Sequence, residues 1–228
     1  MRQIQALAIN GSPRTTWNTA TLLEHALRGC ATEGADTRLV NLYEHDYQGC
    51  KSCFACKRIG GKSYGRCNVR DELTPILDRA ADADVLLLGS PFYFHTESGE
   101  MRSFMERLLF PYLTYTPEHA SIFPRQIRTA LMYTMNVTEG MLAAFHQESS
   151  VAASRDIMRR IFGSCDVLLA FDTYQFDDYS KYVSTAFDPV EKARRRDEAF
   201  PQDCEKAHEL GIRLAAAAAA AVGETAAG

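Results

Sequence analysis

The sequence predicts an α/β fold built on a mainly parallel sheet, and three observations carry that prediction. Apolar strand-like runs alternate with amphipathic helical patterns along the chain. One run, Val85-Leu86-Leu87-Leu88-Gly89, is continuously apolar, as a strand covered on both faces must be. The first run leads through a small-residue turn straight into a helical pattern, as a crossover to a parallel neighbour requires.

Taken in order, Ile4 to Ile9 is the first strand, and Leu22, Leu23, Ala26, Leu27 and Cys30 mark one face of the helix after it. Thr37 to Leu42 is the second strand. From Tyr43 to about Arg70 there is no apolar period, and Leu73, Ile76, Leu77 and Ala80 then restore helical spacing. After the third strand, Met101, Phe104, Met105, Leu108, Leu109 and Tyr112 recur at helical intervals, with Glu100, Arg102, Glu106 and Arg107 filling the polar face. Pro111, Pro117 and Pro124 mark the end of that helix and a loop. Thr129 to Met135 is the fourth strand, residues 140–162 read as helix, and Val167 to Phe171 is the fifth strand. Asp172 to Pro189 lacks periodicity and reads as an extension packed on the domain or on a partner. The run Ala215 to Ala221 is strongly helix-forming, and Gly223 onward reads as a frayed tail.

A chain of 228 residues suits one large domain with an extension, here divided at residues 1–175 and 176–228. The net charge of -4 argues against general nucleic-acid affinity. No apolar run approaches a membrane span, and none precedes the first strand as a signal segment would. The expectation is a cytoplasmic protein.

In an open α/β sheet a ligand sits beyond the carboxyl ends of the strands, where strand order reverses. For five strands in the order 2-1-3-4-5, that crevice lies between the first and third. Three loops converge there. Gly11-Ser12-Pro13-Arg14, with Asn18-Thr19 behind it, joins strand end to helix start, where unpaired N–H groups favour a phosphate. The plainer reading of the same turn makes Asn18 a helix N-cap. Ser90-Pro91-Phe92-Tyr93-Phe94-His95 places three aromatics at the mouth, fit to cover a flat ring or to belong to the core. Thr134-Met135-Asn136-Val137 closes the far side. No Gly-x-Gly-x-x-Gly, Gly-Lys-Ser/Thr or Cys-x5-Arg loop follows the first strand, which leaves a monophosphate carrying a planar ring, as in FMN.

On these residues, together with Ser98-Gly99-Glu100-Met101 leading into Phe104 and Arg107, the chain resembles the NADPH-dependent FMN reductase family over residues 1 to about 175. The resemblance implies a flavodoxin-like three-layer sandwich. It implies that Ser12, Arg14, Asn18 and Thr19 hold the FMN phosphate, that Pro91, Phe92, Tyr93 and Phe94 line the isoalloxazine, and that Thr134, Met135, Asn136 and Val137 complete its far side. It further implies a homodimer or homotetramer that helps close the site.

Four of the seven cysteines fall within residues 50–67, where the chain average would place about half a cysteine. Cys50, Cys53 and Cys56 have the Cys-x2-Cys-x2-Cys spacing of iron–sulfur runs, and Cys67 could be a fourth ligand. The ten-residue gap before Cys67 is longer than ferredoxin spacing. From Cys50 to Arg70 there are six basic residues and no acidic one, a loop that would stabilise thiolates, receive the 2′-phosphate of NADPH, or be an ordinary solvated loop. A cluster, a structural zinc and metal-free thiols all stay open, with metal-free thiols the default. The resemblance on this loop is to the iron–sulfur flavoprotein branch. Cys30, Cys165 and Cys204 read as small buried hydrophobes.

The expected function is therefore an FMN-dependent NAD(P)H oxidoreductase. Hydride would pass from NAD(P)H to the FMN N5 and electrons onward to a flavin, a quinone, another small acceptor or an electron-transfer protein. The alternatives are an iron–sulfur flavoprotein acting as electron carrier, and a non-catalytic flavin- or zinc-binding interaction module. His95, in the aromatic loop, reads as incidental, because the flavin supplies the chemistry.

Overall fold

The computed structural model describes residues 2–145 and 147–227. Its elements are β1 (Gln5–Asn10), α1 (Asn18–Thr32), β2 (Asp36–Asn41), α2 (Thr74–Asp82), β3 (Val85–Tyr93), β4 (Thr96–Glu97) and α3 (Gly99–Leu109), then β5 (Arg128–Thr134), α4 (Glu139–Ala144), α5 (Glu148–Phe162), β6 (Asp166–Ala170), α6 (Pro189–Glu198) and α7 (Phe200–Ala227). The long strands lie in the order β2-β1-β3-β5-β6, all parallel. That is the expected five-strand order, with β4 added as a short antiparallel partner of β3.

The period of two along the strands sorts side chains into two cores. Leu7, Ile9, Leu86, Leu88, Leu131 and Tyr133 pack with α2, α3 and α5, while Ala6, Ala8, Val85, Leu87, Ala130 and Met132 pack with α1 and α7. The α1/α7 side is made of small residues, so its two helices approach until backbones touch. A Cβ on Gly29 would stand 2.0 Å from the His208 carbonyl oxygen, and one on Gly211 would stand 1.9 Å from that of Ala26. The sheet and its two helical layers form a three-layer sandwich.

Three segments depart from the sequence reading. The stretch 140–162 divides into α4, which ends at Ala144, and α5, which starts at Glu148. The segment from Gly223, expected as a frayed tail, continues α7 to Ala227. The aromatic loop after the third strand is largely strand: β3 runs on to Tyr93 and turns tightly into β4 through Phe94 and His95, with φ of 47° and 70°. Both are left-handed conformations suited to Asn and Gly, so the aromatic Phe94 occupies a strained turn tip.

At the opposite end of the sheet the carboxylate of Asp84, 3% exposed, meets both guanidinium nitrogens of Arg2 at 2.6 Å and Arg125 at 3.0 Å. Burial alone would raise this carboxyl; Arg2, the Gln5 N–H and Arg125 hold it below the ordinary range. The sheet is thereby locked at its amino ends. Among the described residues, no helix is long and apolar enough to cross a membrane.

Candidate functional site

The carboxyl ends of β1, β3, β5 and β6 meet in one crevice of about 160 Å³, lined by Ser12, Arg14, Trp17, Asn18 and Thr19, by Pro91, Phe92 and Tyr93, and by residues 134–136 and 173–175. The ladder places them. Gly11 N–H donates to the Gly89 carbonyl at 2.8 Å, which ties the first loop to β3. Ser98, the N-cap of α3, accepts from Met101 N–H at 3.3 Å and donates to the Gly11 carbonyl at 2.6 Å. Gly11 has no room for a side chain, since a Cβ would stand 2.7 Å from the Met101 Cβ.

The cradle itself offers donors. Ser12 N–H is held by Asn10 Oδ1 at 3.0 Å and Ser12 Oγ accepts from Arg14 N–H at 3.1 Å, which sets the turn. Buried Thr19 shares a hydrogen bond of 2.8 Å with Thr134. The N-cap of α1 is Trp17 and it makes no side-chain cap, so Asn18 is not the cap the plainer reading made it. Without a capping side chain, the first amides of α1 remain available to an anion. The Asn18 amide instead donates to the Tyr174 carbonyl at 2.8 Å, Trp17 Nε1 to the same carbonyl at 3.2 Å, and Arg14 to Gln175 O at 2.6 Å.

Ten of the twelve residues expected around a flavin line this crevice. Phe94 and Val137 do not. Phe94 sits at the hairpin tip, 98% exposed, and Val137 packs against the core behind the wall. Trp17, Thr173, Tyr174 and Gln175 line the crevice and were not anticipated. The last three follow the fifth strand of the ladder, and the strand-end rule that singled out the other loops applies to them equally. Thr173 N–H donates to the Met135 carbonyl at 2.9 Å, joining these two loops into one wall.

The lining suits an anion joined to a flat ring. It contains no carboxylate, one charged group in Arg14, and four aromatic side chains in Trp17, Phe92, Tyr93 and Tyr174. Beneath it, Glu97 is 4% exposed. Burial would raise its carboxyl, yet hydrogen bonds from Ser154, Tyr133 and Thr96 hold it below the ordinary range.

The cysteine loop lies along α3. Tyr47 donates to the Glu100 carbonyl at 2.8 Å, Cys50 N–H to Glu106 at 3.1 Å, and Lys57 to the Phe110 and Leu113 carbonyls at the end of the helix. Arg107, read from sequence as part of the polar face, is buried, and binds Asp71 at 2.9 Å, Cys67 Sγ at 3.4 Å and the Gln48 carbonyl at 3.0 Å. Cys50, Cys53, Cys56 and Cys67 all line one small cavity with Arg107 and Phe110. Four soft thiols and a guanidinium donor suit an anionic iron–sulfur cluster in chemical type. Among the described residues, no three His, Cys, Asp or Glu are grouped as a single metal ion requires. Cys30, Cys165 and Cys204 stand apart, and burial pushes the Cys30 thiol up to about 12 and that of Cys165 to about 11. They are packing residues.

A larger cavity, about 680 Å³, lies between this loop, α2 and residues 122–125. Arg66, Arg70 and Arg125 face Asp78 and Asp82 across it, and no strand end opens into it. The crest crevice is the better candidate because four strand ends converge on its donors.

The sequence model of the NADPH-dependent FMN reductase family matches residues 4–157. The chain belongs to this family. The matched FMN reductase segment contains every residue of the crevice except 173–175, and all four loop cysteines. An iron–sulfur flavoprotein of Methanocaldococcus jannaschii is 34% identical over 104 residues, covering 46% of this chain and 51% of that protein. One from Archaeoglobus fulgidus is 30% identical over 104 residues, 46% of this chain and 48% of that protein. The match thus spans about half the length of these curated relatives. Among solved structures, an NAD(P)H:quinone oxidoreductase from Methanothermobacter marburgensis superposes with a TM-score of 0.67 at 13% identity, covering 93% of this chain and 100% of the other. An FMN-dependent NADH-azoreductase from Bacillus anthracis, in complex with FMN, gives 0.65 at 14%, covering 93% and 100%. At that identity the likeness is one of fold. The family brings FMN and NADPH as its cofactor and reductant.

Proposed function

We propose that this chain is an FMN-dependent NAD(P)H oxidoreductase that reduces a small acceptor such as a quinone or a flavin, with FMN in the crest crevice. The observation that carries the reading is the lining: donors, four aromatic rings and no carboxylate, at the carboxyl ends of the strands. Ser12, Thr19, Arg14, Asn18 and the first amides of α1 would hold the phosphate. Pro91, Phe92 and Tyr93 would lie along the ring on one side, with Thr134, Met135 and Asn136 on the other. When bound, FMN supplies the redox chemistry, taking hydride from NAD(P)H and giving electrons to the acceptor. The chain's own work is to bind, to orient the ring and to present N–H groups where negative charge develops. Freshly purified protein is expected to show two flavin absorption bands and to oxidise NAD(P)H with a quinone, flavin or nitroaromatic acceptor. Absence of NAD(P)H oxidation with all three overturns the reading. Exposed Phe94 and Tyr93 beside the crevice support assembly into a homodimer or homotetramer, which light scattering measures.

A second reading, an electron carrier with an iron–sulfur cluster on the cysteine loop, is favoured by the four thiols lining one cavity and by the names of the curated relatives. Cys50, Cys53, Cys56 and Cys67 would be its ligands. Cys50 N–H meets Glu106, which lies seven residues into α3 from Gly99, about 10 Å along the axis, so one helix spans both regions. Iron and acid-labile sulfide in anaerobically purified protein, with dithionite-bleached broad absorption, would support this reading. Their absence would reject it.

A further inference from the structure

Lys192 lies on α6, outside the segment the family model matches, and is 1% exposed. Its ammonium donates to Asn136 Oδ1 at 2.6 Å and to the Asn136 carbonyl at 3.0 Å, with the Thr173 carbonyl at 3.5 Å. It also pairs with the carboxylate of Asp172 and stands 4.5 Å from the centre of the Phe187 ring. An ammonium has three hydrogens and no lone pair; Asn136 Oδ1, Asn136 O and Asp172 use all three. Placing a charge beyond the reach of water is costly until its partners offset it, so packing alone is a poor reason for a lysine here.

The pairing has a chemical consequence. Because the ammonium can only donate, the end of the Asn136 amide facing it is the oxygen, and the Nδ2 end is turned away as a donor. Asn136 and Thr173 both line the crest crevice. We infer that Lys192 is a positioning residue of the flavin site: by holding Asn136 Oδ1 it makes the Asn136 amide a donor to the acceptor-rich edge of a bound isoalloxazine ring. The inference rests on FMN occupying the crevice. Lys192 touches no reacting atom; it acts on the ring through Asn136.

The test is a titration of the apo-protein with FMN, followed by flavin fluorescence and visible absorption. A wild-type chain that binds no FMN rejects the reading of the crevice itself, which separates that failure from this one. Given binding, Lys192→Met is expected to raise the FMN Kd about tenfold, the loss of one well-placed hydrogen bond. Asn136→Asp keeps an oxygen for Lys192 and removes the donor; it is expected to raise the Kd as much and to lower the flavin midpoint potential. In an Asn136→Ala background, Lys192→Met should leave the Kd unchanged, because the residue it acts through is gone. Independent, additive losses in that cycle would overturn the inference. So would an unaltered Kd and potential in Asn136→Asp, a result that stands even if Lys192→Met fails to fold.

Discussion

The crest crevice draws its walls from strand ends whose positions the parallel ladder fixes, whereas residues 45–73 of the cysteine loop contain one 3₁₀ turn and no strand or α-helix. The loop takes its shape from a few side chains: Arg107 and Glu106 reach out from α3, and Lys57 reaches in to the carbonyls at that helix's end. Both regions border α3. They should therefore respond differently to single substitutions, the crevice in ligand affinity and the loop in stability.

Arg107→Ala is the strongest way to break that contrast. Its guanidinium is fully buried and serves Asp71, Cys67, Gln48 and Val69, so its removal leaves a half-buried carboxylate and several carbonyls unpaired. Breaking such a pair costs about 3–5 kcal/mol, measurable by denaturant unfolding. The thiols should react faster with a thiol reagent while FMN affinity stays near wild type. The pH dependence has a definite sign. Burial would raise the Asp71 carboxyl, but Arg107 holds it below the ordinary range, so its contribution is present above about pH 4, the unfolded carboxylate value, and is lost as pH falls through the depressed one. The variant should lack that acid-side loss. If FMN affinity collapses with stability, the two regions are one unit.

Arg14→Ala is the mirror experiment. The Arg14 side chain is exposed and, among the described residues, is held by the Gln175 carbonyl and the face of Trp17. Its loss should shift stability by less than about 0.5 kcal/mol. The FMN Kd should rise about 10–100-fold, as expected for a charge-assisted phosphate contact. Unaltered flavin retention would show that the phosphate lies elsewhere.

The same contrast explains what the sequence disclosed. Continuous apolar runs such as Val85 to Gly89 mark buried strands, and strand ends mark a crevice, so Ser12, Pro91 and Asn136 could be named from local pattern alone. The loop residues could be named as a cluster, but what holds them could not. Arg107 stands at a helix position that periodicity assigns to the polar face, and its burial depends on Asp71, distant in sequence. Lys192 is hidden for the same reason, in a charged stretch with no apolar period. Phe94 was misplaced because β3 runs four residues beyond Gly89 and turns at an aromatic pair, where turn chemistry favours Asn and Gly.

Ser98 is where the crest borrows the loop's device, a side chain governing backbone. Its hydroxyl caps α3 through Met101 N–H and holds the Gly11 carbonyl, while its own N–H is held by Ser90 Oγ at 3.0 Å. Ser98→Ala removes the cap and the donor to Gly11 but keeps the bond to Ser90. A lost N-cap costs about 1 kcal/mol, which denaturant unfolding resolves. Because the freed carbonyl belongs to the first residue of the cradle, FMN affinity should fall too, by less than tenfold and so by less than in Arg14→Ala. A loss of stability with unchanged FMN affinity would mean that the Gly11–Gly89 bond of the ladder suffices to place the cradle. Ladder and side chain would then act separately at the crest, and the division between the two regions would be sharper than Ser98 makes it.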